Sequence, residues 1–224
     1  MKRVFLYLVL IFTCALVFGQ SEDDFEIVQR GGGITITGYT GNLTEIVIPA
    51  RISGIAVYSI GLDAFNGKGL TRVTLPNGLR TIGESAFAFN KLTAVVIPDT
   101  VTAIESNAFE RNQISELTLS NSLTFLQGLA FANNRIETLT IPNSLDYIYG
   151  SAFLNNPIKT LNLGGVVTVI SRAFDGSAVE AVTVRANADI AIMSGLDQSF
   201  INFYNSNGKR AGTYVKTGRV WAMR

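Results

Sequence analysis

The sequence predicts a repeat solenoid: a stack of about seven coils of about 22 residues each, mainly β with irregular or short helical connections, and capped by hairpins at both ends. Three columns of residues carry this expectation. An Ala-Phe pair recurs at Ala64-Phe65, Ala86-Phe87, Ala108-Phe109, Ala130-Phe131, Ala152-Phe153 and Ala173-Phe174, with a spacing of 22 residues four times and 21 once. Ahead of each pair stands an aliphatic residue: Ile60, Ile82, Ile104, Leu126, Ile148 and Ile170. Further upstream a frame of the form LxxVxL repeats at 43–49, 70–76, 92–98, 114–120, 136–142, 158–164 and 179–185.

One coil shows how the elements arise. In "LTAVVIP" (92–98), Val95 and Ile97 share one face by the two-residue period of a strand, Leu92 leads into the same interior, and Ala94 and Val96 point outward. Pro98 ends the strand because it has no N–H to donate to a ladder. Val101 and Ile104 then return to the core from the opposite side, and Ala108 and Phe109 close the coil. A single coil cannot bury this set, whereas stacked coils can, with each Phe contributing on the order of 1.5–3 kcal/mol when fully buried. The first coil carries five extra residues before Ile60 and the sixth lacks one between Ile170 and Ala173, edits that fit loops away from the main ladder.

A fourth column, Asn90, Asn112, Asn134 and Asn156, precedes the ladder strands. Four amides in register can line a polar site, but their place beside the core strand favours a structural ladder in which they satisfy backbone groups at the turn between coils.

The ends depart from the frame. Residues 1–19 pair Lys2 and Arg3 with an apolar run from Val4 to Gly19 and are expected to be a secretory signal peptide cleaved near Gly19 and Gln20. The rival is a retained anchor, for which the run falls short of the roughly 20 apolar residues of a full span. Cys14, the single Cys, lies inside this segment in "IFTC", a degenerate lipoprotein site. Residues 20–42 are expected to form an N-terminal cap, with Phe25, Ile27, Ile34 and Ile36 flanking "GGG" as a hairpin over the first coil's open edge. Residues 43–184 form the solenoid, and 185–224 a C-terminal cap: an irregular or short helical cover, then a hairpin turning between Lys216 and Arg219. Trp221, the single Trp, is either a ligand anchor or, as favoured here, part of the cap's packing.

At this point the sequence resembles a family. "LTxxxIPxxVxxIxxxAFxxN" over about residues 43–184 is similar to the leucine-rich repeat of the BspA type, found mainly in secreted and surface proteins of host-associated anaerobic bacteria and in some protists. "FEIVQRGGGITITGYTG" resembles that family's N-terminal cap hairpin, and "FYNSNGKRAGTY" with the later "VW" resembles the C-terminal segment of some members. The resemblance implies a leucine-rich-repeat-like fold and adhesion to host matrix proteins, coaggregation or another binding role rather than catalysis. Many relatives carry Cys where this chain has the Asn column.

Composition narrows the chemistry. With 18 basic and 17 acidic residues the formal charge is +1, without the clustered basic excess that nucleic-acid binding requires. Loss of Lys2 and Arg3 with the leader leaves 16 basic against 17 acidic residues, a net charge of minus 1, and no Cys, so the exported chain must be stabilised by packing alone. The chain has no His, which removes Ser-His-Asp, Cys-His and the common zinc-ligand arrangements. The tightest acidic cluster, Glu22, Asp23 and Asp24, is expected in a flexible terminus that cannot hold two carboxylates in fixed geometry. Glu45 and Glu116 on the outward strand face would stand about 14 Å apart, beyond the roughly 5–9.5 Å of paired catalytic carboxylates. No catalytic residue, cofactor or metal is expected.

What remains is surface. The ladder strands present Thr74, Val96, Thr118, Thr140, Asn162 and Thr183 in one outward column, beside Glu45, Arg72, Ala94, Glu116, Thr138, Thr160 and Ala181. Stacked threonines are good sheet formers in their own right, and a broad charge-poor face also suits a partner because little charge must be desolvated. This column is the expected partner-binding site. The alternative patch is Phe125 and Tyr147 in adjacent coils with Tyr149 nearby, able to receive a sugar ring or peptide side chain or simply to pack together. The expected function is that of an exported, non-enzymatic, adhesin-like protein that contacts a protein or glycan macromolecule of a host or neighbouring cell, with no nucleic acid and no membrane span in the mature chain. The alternative is a structural or assembly component of the cell envelope that binds another bacterial protein.

Overall fold

The structure is a computed structural model that describes residues 20–145, 147–164, 168–169, 172–184 and 198–224. The expected signal peptide, Cys14 and Ile170 therefore lie outside the described residues, as does the first part of the C-terminal cap, 185–197.

After a short 3-10 turn (Glu22–Asp24), strands β1 (Phe25–Arg30) and β2 (Gly33–Tyr39) form an antiparallel hairpin. Gly31 and Gly32 connect them with φ of 57° and 82°, the left-handed pair that a two-residue turn between twisted strands demands. Strand β3 (Glu45–Val47) opens the solenoid. The five extra residues of the first coil become a second hairpin, β4 (Arg51–Ile52) with β5 (Ile55–Ile60), on the side away from the ladder.

Each later coil contributes one ladder strand and one short strand of a second sheet. The pairs are β6 (Arg72–Thr74) with β7 (Thr81–Ile82), β8 (Ala94–Val96) with β9 (Ala103–Ile104), β10 (Glu116–Thr118) with β11 (Phe125–Leu126), β12 (Thr138–Ile141) with β13 (Tyr147–Ile148), and β14 (Thr160–Leu163) with β15 (Thr168–Val169). Ladder strand β16 (Ala181–Val184) follows, then α1 (Gln198–Ser206) and the hairpin β17 (Gly212–Thr217) and β18 (Val220–Met223). The register holds across coils, with Thr138 facing Thr160 and Thr160 facing Ala181.

The second sheet, not the ladder, runs furthest without a break, in the order β1-β2-β5-β7-β9-β11-β13-β15. The ladder is regular as three blocks, β3-β6, β8-β10 and β12-β14-β16, the last extended by β17 and β18. Single backbone bonds join the blocks, from Lys91 N–H to Leu70 C=O (2.8 Å) and from Arg135 N–H to Ile114 C=O (2.9 Å). A third seam runs along the Ala-Phe corners, where Phe65, Phe87 and Phe109 each donate their N–H to the Ala of the next coil at 2.7–2.8 Å.

Between the sheets lies the column of rings. Phe65, Phe87, Phe109, Phe131, Phe153 and Phe174 stack with centroids 5.0, 5.2, 5.1, 5.6 and 5.9 Å apart and planes within 10° of parallel. All six are fully buried. The Asn column bolts successive coils together. Asn134 accepts the N–H of Ile114 (3.0 Å) in the preceding coil and donates to the carbonyls of Phe109 (3.0 Å), Phe131 (3.1 Å) and Ala132 (3.2 Å). Asn90, Asn112 and Asn156 repeat the pattern, so every side-chain amide at this buried position has partners.

The N-terminal hairpin joins one sheet of the first coil. Its strand β2 pairs in parallel with β5 and extends the second sheet rather than the ladder. What meets the edge of β3 is one side chain: the Gln20 amide accepts the Val47 N–H at 2.9 Å and donates to the Val47 carbonyl. Phe25 and Tyr39 lay their rings over Phe65 and continue the aromatic column into the cap.

Candidate functional site: the outward face of the ladder

The face is built by alternation. Because Val95, Leu139, Leu161 and Val182 are drawn inward, their neighbours along each strand must face solvent. Val96 is 65% exposed, and Thr118 and Thr140 are exposed beside it. Thr74 is half-buried at one end, as are Asn162 and Thr183 at the other. The structure thus gathers all six expected residues into one column. Neighbouring members contact each other where the cap approaches: Asn162 donates to the Thr140 hydroxyl at 3.2 Å, and Thr183 lies 3.0 Å from Thr213 of β17.

Two ion pairs lie on or beside the adjoining column. Arg72 lies 4.0 Å from Glu45 within it, and Lys159 lies 3.0 Å from Glu137 just ahead of the strands, all well exposed, so each pair contributes little to stability. The centre of the face, from Ala94 to Thr140, carries Glu116 as its single charge in the two columns. The hydroxyls of Thr74 and Thr118 make no hydrogen bond to any described residue, whereas Thr71 and Ser115, just ahead of the strands, donate to carbonyls of the preceding coil at 3.2 and 3.4 Å. Threonines of the face and serine or threonine of the turn therefore do different work. The turn hydroxyls of Thr71 and Ser115 join coils, whereas on the face Thr118 meets solvent and Thr140 and Thr183 bond to Asn162 and Thr213.

The alternative patch lies on the second sheet. Phe125 is half-buried and meets Tyr149 edge to face, with centroids 5.4 Å apart and planes at 64°. Tyr147 is exposed, and the ring that meets Phe125 is that of Tyr149.

The acidic cluster is more ordered than expected. Ser21 caps the turn of Glu22–Asp24, and the Glu22 carboxylate accepts the N–H of Ser53 at 2.9 Å, tying the terminus to the hairpin of the first coil. The Glu22 and Asp24 carboxylates are each taken up by a backbone N–H, of Ser53 and Ser21 respectively. Among the described residues no group of three or more His, Cys, Asp or Glu side chains could hold a metal ion. Trp221 belongs to the cap: it is buried, its ring lies 4.8 Å from that of Phe200, and its indole N–H donates to Ser199 at 3.1 Å.

Sequence reasoning missed a column at the corners. Gly67, Phe89, Arg111, Asn133, Asn155 and Gly176 all adopt φ between 54° and 85°, a region where Phe and Arg are strained. Phe89 is exposed there, with the Arg111 guanidinium 5.6 Å from its ring centroid. The Gly and Asn residues at a spacing of 22 or 21 were the available signal.

These features define a class, the leucine-rich repeat proteins. The chain belongs to the BspA type leucine rich repeat family, whose repeat region matches residues 38–159 in 6 copies. No curated protein matches the chain significantly. Among solved structures it is similar to a leucine-rich repeat protein of T. pallidum, with a TM-score of 0.57 at 21% identity over 70% of this chain and 88% of that one. It is also similar to a leucine-rich repeat protein from Eubacterium ventriosum, with a TM-score of 0.46 at 19% identity over 86% of this chain and 44% of that one. A leucine rich cell surface protein from Faecalibacterium prausnitzii gives a TM-score of 0.42 at 20% identity over 91% and 60% of the two chains. At these identities the likeness is one of fold. Among the described residues no helix is long and apolar enough to cross a membrane.

Proposed function

We propose that this chain is an exported, adhesin-like binding protein whose ladder face docks a protein or glycan macromolecule of a host or neighbouring cell. The observation that carries the reading is the middle of the face. Val96, Thr118 and Thr140 stand exposed on successive coils, around a single charge, with no described element covering them. A partner meeting that surface desolvates little charge. Solenoids of this family suggest protein binding and are typically non-catalytic, and its members are typically bacterial surface or secreted proteins. The apolar run behind Lys2 and Arg3 supports export.

The test is a pull-down with the protein from host-matrix extracts and from envelope extracts, together with protease treatment of intact cells. Removal of the protein by the protease, with capture of matrix components, is the expected result. Protection from the protease, with capture of envelope protein alone, would replace the adhesive role by that of an envelope assembly component.

A further inference from the structure

The strand that ends the second sheet is a surface of its own. β1 is the terminal strand of that sheet, and Glu26 to Arg30 are all exposed along it. Ile27 is 40% and Val28 38% exposed. Ile27 lies opposite Ile36 on the core-facing side, so its exposure arises because no strand follows β1 among the described residues. A six-residue unpaired edge carrying two β-branched aliphatic residues is a template for another strand.

The hairpin fixes which backbone groups of that edge are free. Arg30 and Gly33 flank the two-residue turn and therefore form a hydrogen-bonded pair, as do Val28 and Thr35 two positions on. The N–H and C=O of Gln29 and Ile27 then point outward. The one irregularity, Gly38 opposite Glu26 but Ile36 opposite Ile27, leaves Thr37 of β2 unopposed and keeps β1 itself regular.

We propose that β1 pairs antiparallel with β1 of a second copy of this chain, about a two-fold axis through Val28. Outward-pointing groups must meet outward-pointing groups, so Ile27 pairs with Gln29 of the second copy and the reverse, and Val28 faces Val28. That register sets Glu26 opposite Arg30 on both sides of the axis. Within one chain Glu26 and Arg30 are four residues apart on an extended strand, roughly 13 Å, and neither forms an ion pair among the described residues. Their charges are complementary only between copies. The opposite end of the molecule supplies the contrast: edge strand β18 also exposes Val220 and Met223, but its nearby charges, Lys216, Arg219 and Arg224, are all positive, so two copies meeting there gather like charge.

The pairing predicts a concentration-dependent dimer in sedimentation velocity with a register that charge exchange can read. Glu26→Arg, which sets Arg against Arg twice, should weaken association by roughly tenfold or more, Arg30→Glu should do the same, and the two together should restore it. Val28→Cys in a Cys14→Ser background should form a disulfide dimer on oxidation, since the two-fold pair is of the close, non-hydrogen-bonded kind, whereas Gln29→Cys should not. Unchanged melting of each variant shows that folding is intact. A protein monomeric at several hundred micromolar overturns the proposal, and so does a dimer that Glu26→Arg leaves intact or that the double exchange fails to restore.

Discussion

The two ends of this solenoid are closed by the same device applied to opposite sheets. At the N-terminal end a hairpin adds to the second sheet, and the edge of the ladder is met by the Gln20 amide. At the C-terminal end a hairpin adds to the ladder, β17 pairing antiparallel with β16, and helix α1 packs beneath it. Both caps draw aromatic side chains inward: Phe25 and Tyr39 above Phe65, and Phe200, Tyr204, Tyr214 and Trp221 behind β16. A solenoid must stop two sheets at each end, and each hairpin of this one extends a single sheet.

Deleting a ring should have the largest effect at either place. Phe131→Ala in the middle of the column and Trp221→Ala in the C-terminal cap should each cost about 3–5 kcal/mol. The central cavity is shared by coils on both sides, so Phe131→Ala should lower the melting of the whole molecule, whereas Trp221→Ala should first loosen the cap, visible as faster amide exchange in β17 and β18. Equal, global effects of both would show that the cap and the stack melt as one unit.

Next in size is the bolt between coils. Asn134→Ala leaves the buried Ile114 N–H unsatisfied, at about 1–3 kcal/mol, while the Phe109 and Phe131 carbonyls still accept from Asn112 and Asn156. Denaturant unfolding should therefore show a loss smaller than that of a core ring.

The caps also share a response to alkali. Burial pushes the phenols of Tyr39 and Tyr214 above the ordinary tyrosine pKa, with the Leu43 backbone and the nearby Arg210 respectively opposing it in part. Their neutral forms are favoured in the folded protein, so this contribution to stability is fully present below about pH 10, the unfolded value, and is lost as the pH rises past it. Thermal melts between pH 8 and 11 should show a fall above pH 10 that Tyr214→Phe reduces. The smallest effect belongs to the one-residue closure. Gln20→Ala removes two hydrogen bonds from the edge of β3 and should cost about 0.5–1.5 kcal/mol for each.

Most of the stack was legible because its period is long and its core residues are few in kind. The Phe column and the Ile column, with Leu126 its one variant, put a fixed kind of residue at one place per coil, the Asn column does so in four coils, and packing allows little else there. The ends were harder. "GGG" marks a hairpin, but nothing local says which of two sheets the hairpin will join, because that depends on where β5 lies in space. The left-handed corner column was hidden by Phe89 and Arg111, which break the Gly and Asn pattern by which such positions are recognised. Trp221 was legible as packing rather than recognition, because it stands in an alternating hairpin outside the repeat frame. The face was legible as an outward column, but no single position on it announces a ligand, since threonine is also what a solvent-facing strand prefers.

Binding across the middle of the ladder, as proposed above, is tested by comparing capture, by the wild-type protein and by the double variant Thr118→Lys with Thr140→Lys, of whichever component the extracts yield. Two unpaired charges placed in the contact should abolish most of the binding while stability changes by no more than about 0.5 kcal/mol per site, because both side chains face solvent. Undiminished capture by that variant, with loss of capture by Phe125→Ala with Tyr147→Ala, would move the site to the second sheet and contradict the account.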